Sequence, residues 1–148
     1  MKYRNTIPTR QLICLVLTVL SLTACLILAS CGKKDHYFLL DLESNPDSGF
    51  AWEVTQADEL FEVAKEYEPA KSGKKQDGGI DHFTLTPVEP GFTNVTFTYK
   101  NGKGDEKGAE YAYSIIVGEE MQIEVISSTG SMGGADLGSK SIPVPGIE

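Results

Sequence analysis

The chain has 148 residues, of which 13 are Lys or Arg and 21 are Asp or Glu, giving a formal net charge of −8. That balance argues against nucleic acid as a partner, because binding phosphates needs a basic face, and against broad contact with anionic lipid headgroups. All three cysteines, Cys14, Cys25 and Cys31, lie near the start of the chain, so the sequence after residue 31 has no disulfide, no thiolate metal site and no cysteine nucleophile.

Residues 1–30 carry Lys2, Arg4 and Arg10 with no acidic residue, and 12–29 are almost wholly apolar. A basic start before a long apolar run is an export signal. It ends in Leu28-Ala29-Ser30-Cys31, which resembles a bacterial lipobox, so Cys31 is the expected lipidation site. The alternative, Leu22-Thr23-Ala24-Cys25, leaves a shorter apolar region but strands Leu26-Ile27-Leu28 behind the anchor. An uncleaved span is the other reading, since roughly 18 apolar residues can cross a bilayer. Either way the basic flank stays in the cytoplasm and the domain lies outside it. The expected location is thus the bacterial cell envelope, anchored by lipid to the cell membrane or the outer membrane. Without its three basic signal residues the chain keeps 10 basic against 21 acidic residues, a net of −11.

Residues 31–36 read as a short linker, 37–126 as one domain and 127–148 as a tail. In the domain, short alternating segments separated by Gly, Pro, Asn and Asp predict strands over 36–43, 50–55, 60–67, 80–87, 93–100, 110–117 and 121–126. After the signal no segment has the 3.6-residue apolar stripe of a helix. Many short strands without helices imply an all-β sandwich or barrel. The tail is rich in Gly, Ser and Pro and shows no alternation, so it is expected to be disordered. Ile142-Pro143-Val144-Pro145 is its candidate partner-binding peptide. His36 and His82 stand alone in alternating patterns and are expected on solvated faces.

The segment around which the rest is organised is Asn45-Pro46-Asp47-Ser48-Gly49-Phe50-Ala51-Trp52. Pro46 fixes its own φ and biases Asn45 toward extended geometry, Asn and Asp side chains can bond to nearby backbone, and Gly49 can take a positive φ. A turn shaped in advance therefore runs into a strand whose Phe50, Trp52 and Val54 share one face, with Trp52 expected in the core.

These residues resemble the Asn-Pro-Thr-Thr-Gly-Tyr/Phe-x-Trp signature of the chagasin family, immunoglobulin-like inhibitors of papain-like cysteine proteases. The resemblance implies an antiparallel immunoglobulin-like sandwich of about seven to eight strands. It also implies reversible, tight-binding inhibition by loops that fill the protease cleft, with Ser48 approaching the catalytic thiolate and Asn45, Pro46, Asp47, Gly49 and Phe50 shaping the loop. The family's second motif, a Gly-x-Gly-Gly loop, is similar to Gln76-Asp77-Gly78-Gly79, where Gln76 replaces the first Gly. Asp77, Gly78 and Gly79 are the candidate contacts there. The third, Arg-Pro-Trp, is absent: Tyr99 is followed by the polar hairpin Lys100-Asn101-Gly102-Lys103-Gly104-Asp105-Glu106-Lys107, of which Lys100, Asn101 and Gly102 are candidate contacts. Losing such an anchor typically costs about 2 kcal/mol or more of binding.

Catalysis is disfavoured, since no nucleophile elbow, metal-ligand spacing or phosphate-cradling Gly loop occurs. No cofactor is implied. The expected partner is a papain-like cysteine protease, the cell's own or a host's, bound by a monomer. A non-inhibitory immunoglobulin-like envelope lipoprotein for protein binding or assembly is the alternative.

Overall fold

The structure is a computed structural model that describes residues 36–74, 77–103 and 106–148. The expected signal (1–30), Cys31 and most of the linker lie outside the described residues, as do Gln76 and Gly104-Asp105.

All seven expected strands are present: β1 (Phe38–Ser44), β2 (Phe50–Gln56), β3 (Phe61–Pro69), β4 (Gly79–Pro87), β5 (Gly91–Asn101), β6 (Lys107–Val117) and β7 (Ile123–Met132). Two short strands come after them, β8 (Ala135–Asp136) and β9 (Gly146–Ile147). They form two antiparallel sheets, ordered β3-β4-β1-β9 and β2-β5-β6-β7-β8. The fold is all-β, and of the two architectures that the alternation allows it is the sandwich, the one that the family resemblance implies.

Period-2 patterning decides which face each strand buries. Phe38, Leu40 and Leu42 of β1 and Phe83 and Leu85 of β4 meet Val95 and Phe97 of β5 and Tyr111, Tyr113, Ile115 and Val117 of β6 in one core. Its centre is aromatic. Phe97 lies edge-on to Phe83 at 5.1 Å and to Tyr113 at 5.9 Å, and Phe38 meets Tyr113 edge-on at 5.4 Å, spacings that favour the ring quadrupoles. Asp81 also points inward and is buried. It is paired with Lys65 of β3 at 3.1 Å, as a carboxylate held out of water requires.

Two expectations fail at the C-terminal end. The last strand, expected over 121–126, is displaced: Met121 sits in a turn at φ 64 and β7 runs from Ile123 to Met132. The stretch expected to be disordered, 127–148, completes the sandwich instead. The reason for the missing alternation lies in the partner strand: Ser128 pairs with Tyr113 and Gly130 with Tyr111. A Cβ on Gly130 would stand 2.9 Å from the Tyr111 ring, so β7 must be small where β6 is bulky. Beyond β8 the chain crosses to the other sheet. Ile142 enters the core at 6% exposure, Tyr113 donates its hydroxyl to the Pro143 carbonyl at 2.8 Å, and β9 pairs with Phe38 and Leu39.

Candidate functional site

Strand register decides which turns meet. Gly79 is opposite both Ser44 and Pro69, Phe50 is opposite Asn101, and Ala109 is opposite Met132. The β1–β2, β3–β4 and β5–β6 turns therefore share one end of the sandwich, and the β7–β8 turn joins them there.

The first turn is one turn of 3-10 helix over Pro46–Ser48, begun by Asn45 outside the helical region (φ −136, ψ 88) and ended by Gly49 at φ 80. These are the geometries that a residue before proline and a left-handed glycine supply. Amides of Ser48 and Gly49 donate to the carbonyls of Asn45 and Pro46, at 3.0 and 3.2 Å. The Ser48 hydroxyl turns back to donate to the Asn45 carbonyl at 2.6 Å and accepts from the Phe50 amide at 3.3 Å. Pro46, Asp47, Ser48 and Gly49 are all exposed, while Asn45 and Phe50 are half-buried.

Beneath this turn stands a column of rings. Tyr99 packs on Phe50 at 5.4 Å and on Trp52 at 5.0 Å, and Trp52 stacks on Tyr111 at 5.5 Å. Trp52 is buried as expected, its indole N–H donating to the Glu43 carbonyl at 2.9 Å. The Tyr99 hydroxyl accepts from the Asn45 amide at 3.0 Å, which ties the exposed turn to the core. The alternation Val95, Phe97, Tyr99 puts this ring inside the sandwich, but its hydroxyl partner lies 54 residues away, so sequence reasoning missed Tyr99 as the turn's support.

The second turn docks on the first through Gly78. It is buried at φ 67, and a Cβ there would lie 2.6 Å from the Ser44 carbonyl oxygen. Gly79, half-buried, is likewise pressed against the Glu68 carbonyl and the Tyr67 ring. The close backbone approach that these glycines permit is thus made within the domain, whereas Asp77 and Lys71–Lys74 are exposed. At the third turn the Gly102 amide donates to the Gly49 carbonyl at 3.2 Å and the Asn101 amide to the Glu106 carbonyl at 3.2 Å. Gly102 is exposed and Asn101 half-buried. Lys100 is held back along the sheet by an ion pair with Glu53 at 2.7 Å.

Behind the site, on the outer face of the β3-β4-β1 sheet, His82 bridges Asp41 at 2.7 Å and Glu68 at 3.2 Å. Hydrogen bonding to Asp41 is the largest cause that raises its pKa above the ordinary value, opposed by partial desolvation and reinforced by Glu68. Among the described residues no group of three or more His, Cys, Asp or Glu is placed to hold a metal.

A family model described as chagasin family peptidase inhibitor I42 matches residues 33–117. Amoebiasin-2 of Entamoeba histolytica is 26% identical over 99 residues, covering 57% of this chain and 80% of that protein. The crystal structure of a cysteine protease inhibitor from Entamoeba histolytica aligns with a TM-score of 0.45 at 22% identity, over 54% of this chain and 75% of that one.

Proposed function

The chain belongs to the chagasin family of peptidase inhibitors, and on that premise we propose that it binds papain-like cysteine proteases reversibly and tightly, occluding the active-site cleft with the turns at one end of the sandwich. Asn45 to Phe50 form the central wedge and Ser48 comes nearest the catalytic thiolate. Asp77 reaches the cleft beside it, with Gly78 and Gly79 setting the second turn's position. Lys100, Asn101 and Gly102 flank the other side.

The observation that carries this reading is the exposed Pro46–Gly49 turn braced by the Tyr99 hydroxyl. A loop ordered before binding loses little entropy on docking. It also offers the protease no extended peptide to cleave, so it blocks the cleft without becoming a substrate. The protein acts as a monomer outside the cytoplasm, held to the bacterial envelope by a lipid on Cys31, against a protease of the cell or of a host.

The test is a titration of papain with the full-length chain in detergent, following hydrolysis of a small peptide substrate. Competitive inhibition at sub-micromolar concentration, roughly −8 kcal/mol of binding or better, is expected. The polar third turn, without Arg-Pro-Trp, favours the second reading of a non-inhibitory envelope binding module. No inhibition at concentrations on the order of 10 μM by a folded protein would count against the inhibitor reading and make the binding module the reading to pursue.

A further inference from the structure

The β7–β8 hairpin lies beyond residue 117, where the family match ends, yet it stands at the same end of the molecule as the other three turns. Gly133 and Gly134, at φ 57 and 83, make the tight turn, two consecutive left-handed residues as a two-residue hairpin requires. The turn is fastened, because the Gly133 amide donates to the Gly108 carbonyl at 2.9 Å. Since Gly108 is the second residue of β6, just after the third turn, the hairpin is its direct neighbour. Four turns thus form one row: β3–β4 docked by Gly78 on β1–β2, β1–β2 bonded by Gly49 to β5–β6, and β7–β8 bonded to the base of β5–β6.

At the foot of this hairpin Met132 is 53% exposed. It lines an open cleft at this end together with Ser44, Asn45, Trp52, Tyr111 and Pro143. One concave surface therefore joins Met132 to the first residue of the wedge. An exposed, unbranched, polarizable side chain suits an apolar contact that must adapt to its partner, and the third turn beside it offers only polar residues.

We propose that the β7–β8 hairpin is a fourth protease-contacting loop, with Met132 as its anchor against an apolar patch beside the protease cleft, on the side faced by the β5–β6 turn. The inference rests on the inhibitor reading above and adds to it a contact outside the family's matched segment. It gives the interface, through Met132, an apolar anchor near the turn that lacks Arg-Pro-Trp.

The experiment compares inhibition constants for papain of the full-length chain, Met132→Glu and Met132→Leu, with melting temperatures measured in parallel. Expected are a tenfold or greater rise for Met132→Glu, a change of no more than about twofold for Met132→Leu, as isosteric apolar exchange allows, and equal melting temperatures. A parent that inhibits and a Met132→Glu variant that inhibits equally well would overturn the fourth contact and leave the inhibitor reading standing. Failure of the parent itself to inhibit would remove that reading and this inference with it.

Discussion

His82 shows what a single residue can hide. Its sequence neighbours suggest a solvated strand position, and its side chain is indeed 34% exposed, but strand register sets it between Asp41 of β1 and Glu68 of β3. Protonated His82 thus ties three strands of one sheet together. Because its folded-state pKa is raised, the added stability is fully present below the ordinary value near 6.5 and is lost as pH rises through the raised value. The melting temperature of the parent is therefore expected to fall more between pH 6 and pH 8 than that of His82→Gln, with the difference shrinking in high salt. Identical pH dependence of the two would refute the bridge. Trp52 and Gly49 were legible beforehand because their constraints are local, an alternation and a left-handed turn. His82 was not, because its partners are 41 and 14 residues away.

Strand β5 is both a core strand and the mount for the turn proposed to bind the protease. Its alternating residues bury Val95 and Phe97, and the next on that face, Tyr99, carries its hydroxyl to Asn45. Replacing Tyr99 by Phe keeps the ring contacts but removes the hydroxyl that accepts from the half-buried Asn45 amide, a loss of about 0.5–1.5 kcal/mol. Urea denaturation should register that loss, and the inhibition constant for papain should rise several-fold as the turn loosens. Unchanged stability and unchanged inhibition would show that the turn holds its shape without the hydroxyl. Most strands up to β6 could be read in the sequence because they have an apolar alternation of their own, whereas β3 buries only Phe61. The end of β7 could not, since its Ser and Gly residues answer to Tyr113 and Tyr111 across the ladder, and a composition that resembles a linker is here the complement of bulky neighbours.

The whole molecule is closed by the stretch whose composition suggests a loose tail. Ile142, buried at 6% exposure, and the β9 pairing to β1 join one sheet to the other. Ile142→Ala is expected to cost about 2–5 kcal/mol, a large share of the roughly 5–15 kcal/mol typical of a domain. Calorimetry should accordingly find a much lower melting temperature, and an unaltered one would mean that the strap is not part of the core. The same closure explains why the first turn could be read from sequence more readily than the shape around it. The first turn carries its instructions in the consecutive residues from Asn45 to Trp52, whereas the row of turns that surrounds it exists only once register has brought distant strands together. Whether the Asn45–Gly49 turn enters a protease cleft, as proposed, is decided by Ser48→Arg measured beside the parent. Ser48 is exposed at the tip, so the variant should melt within a few degrees of the parent yet lose inhibition of papain. Equal inhibition by variant and parent would show that the turn stays outside the cleft, because an arginine at that position could not be accommodated in an occupied cleft.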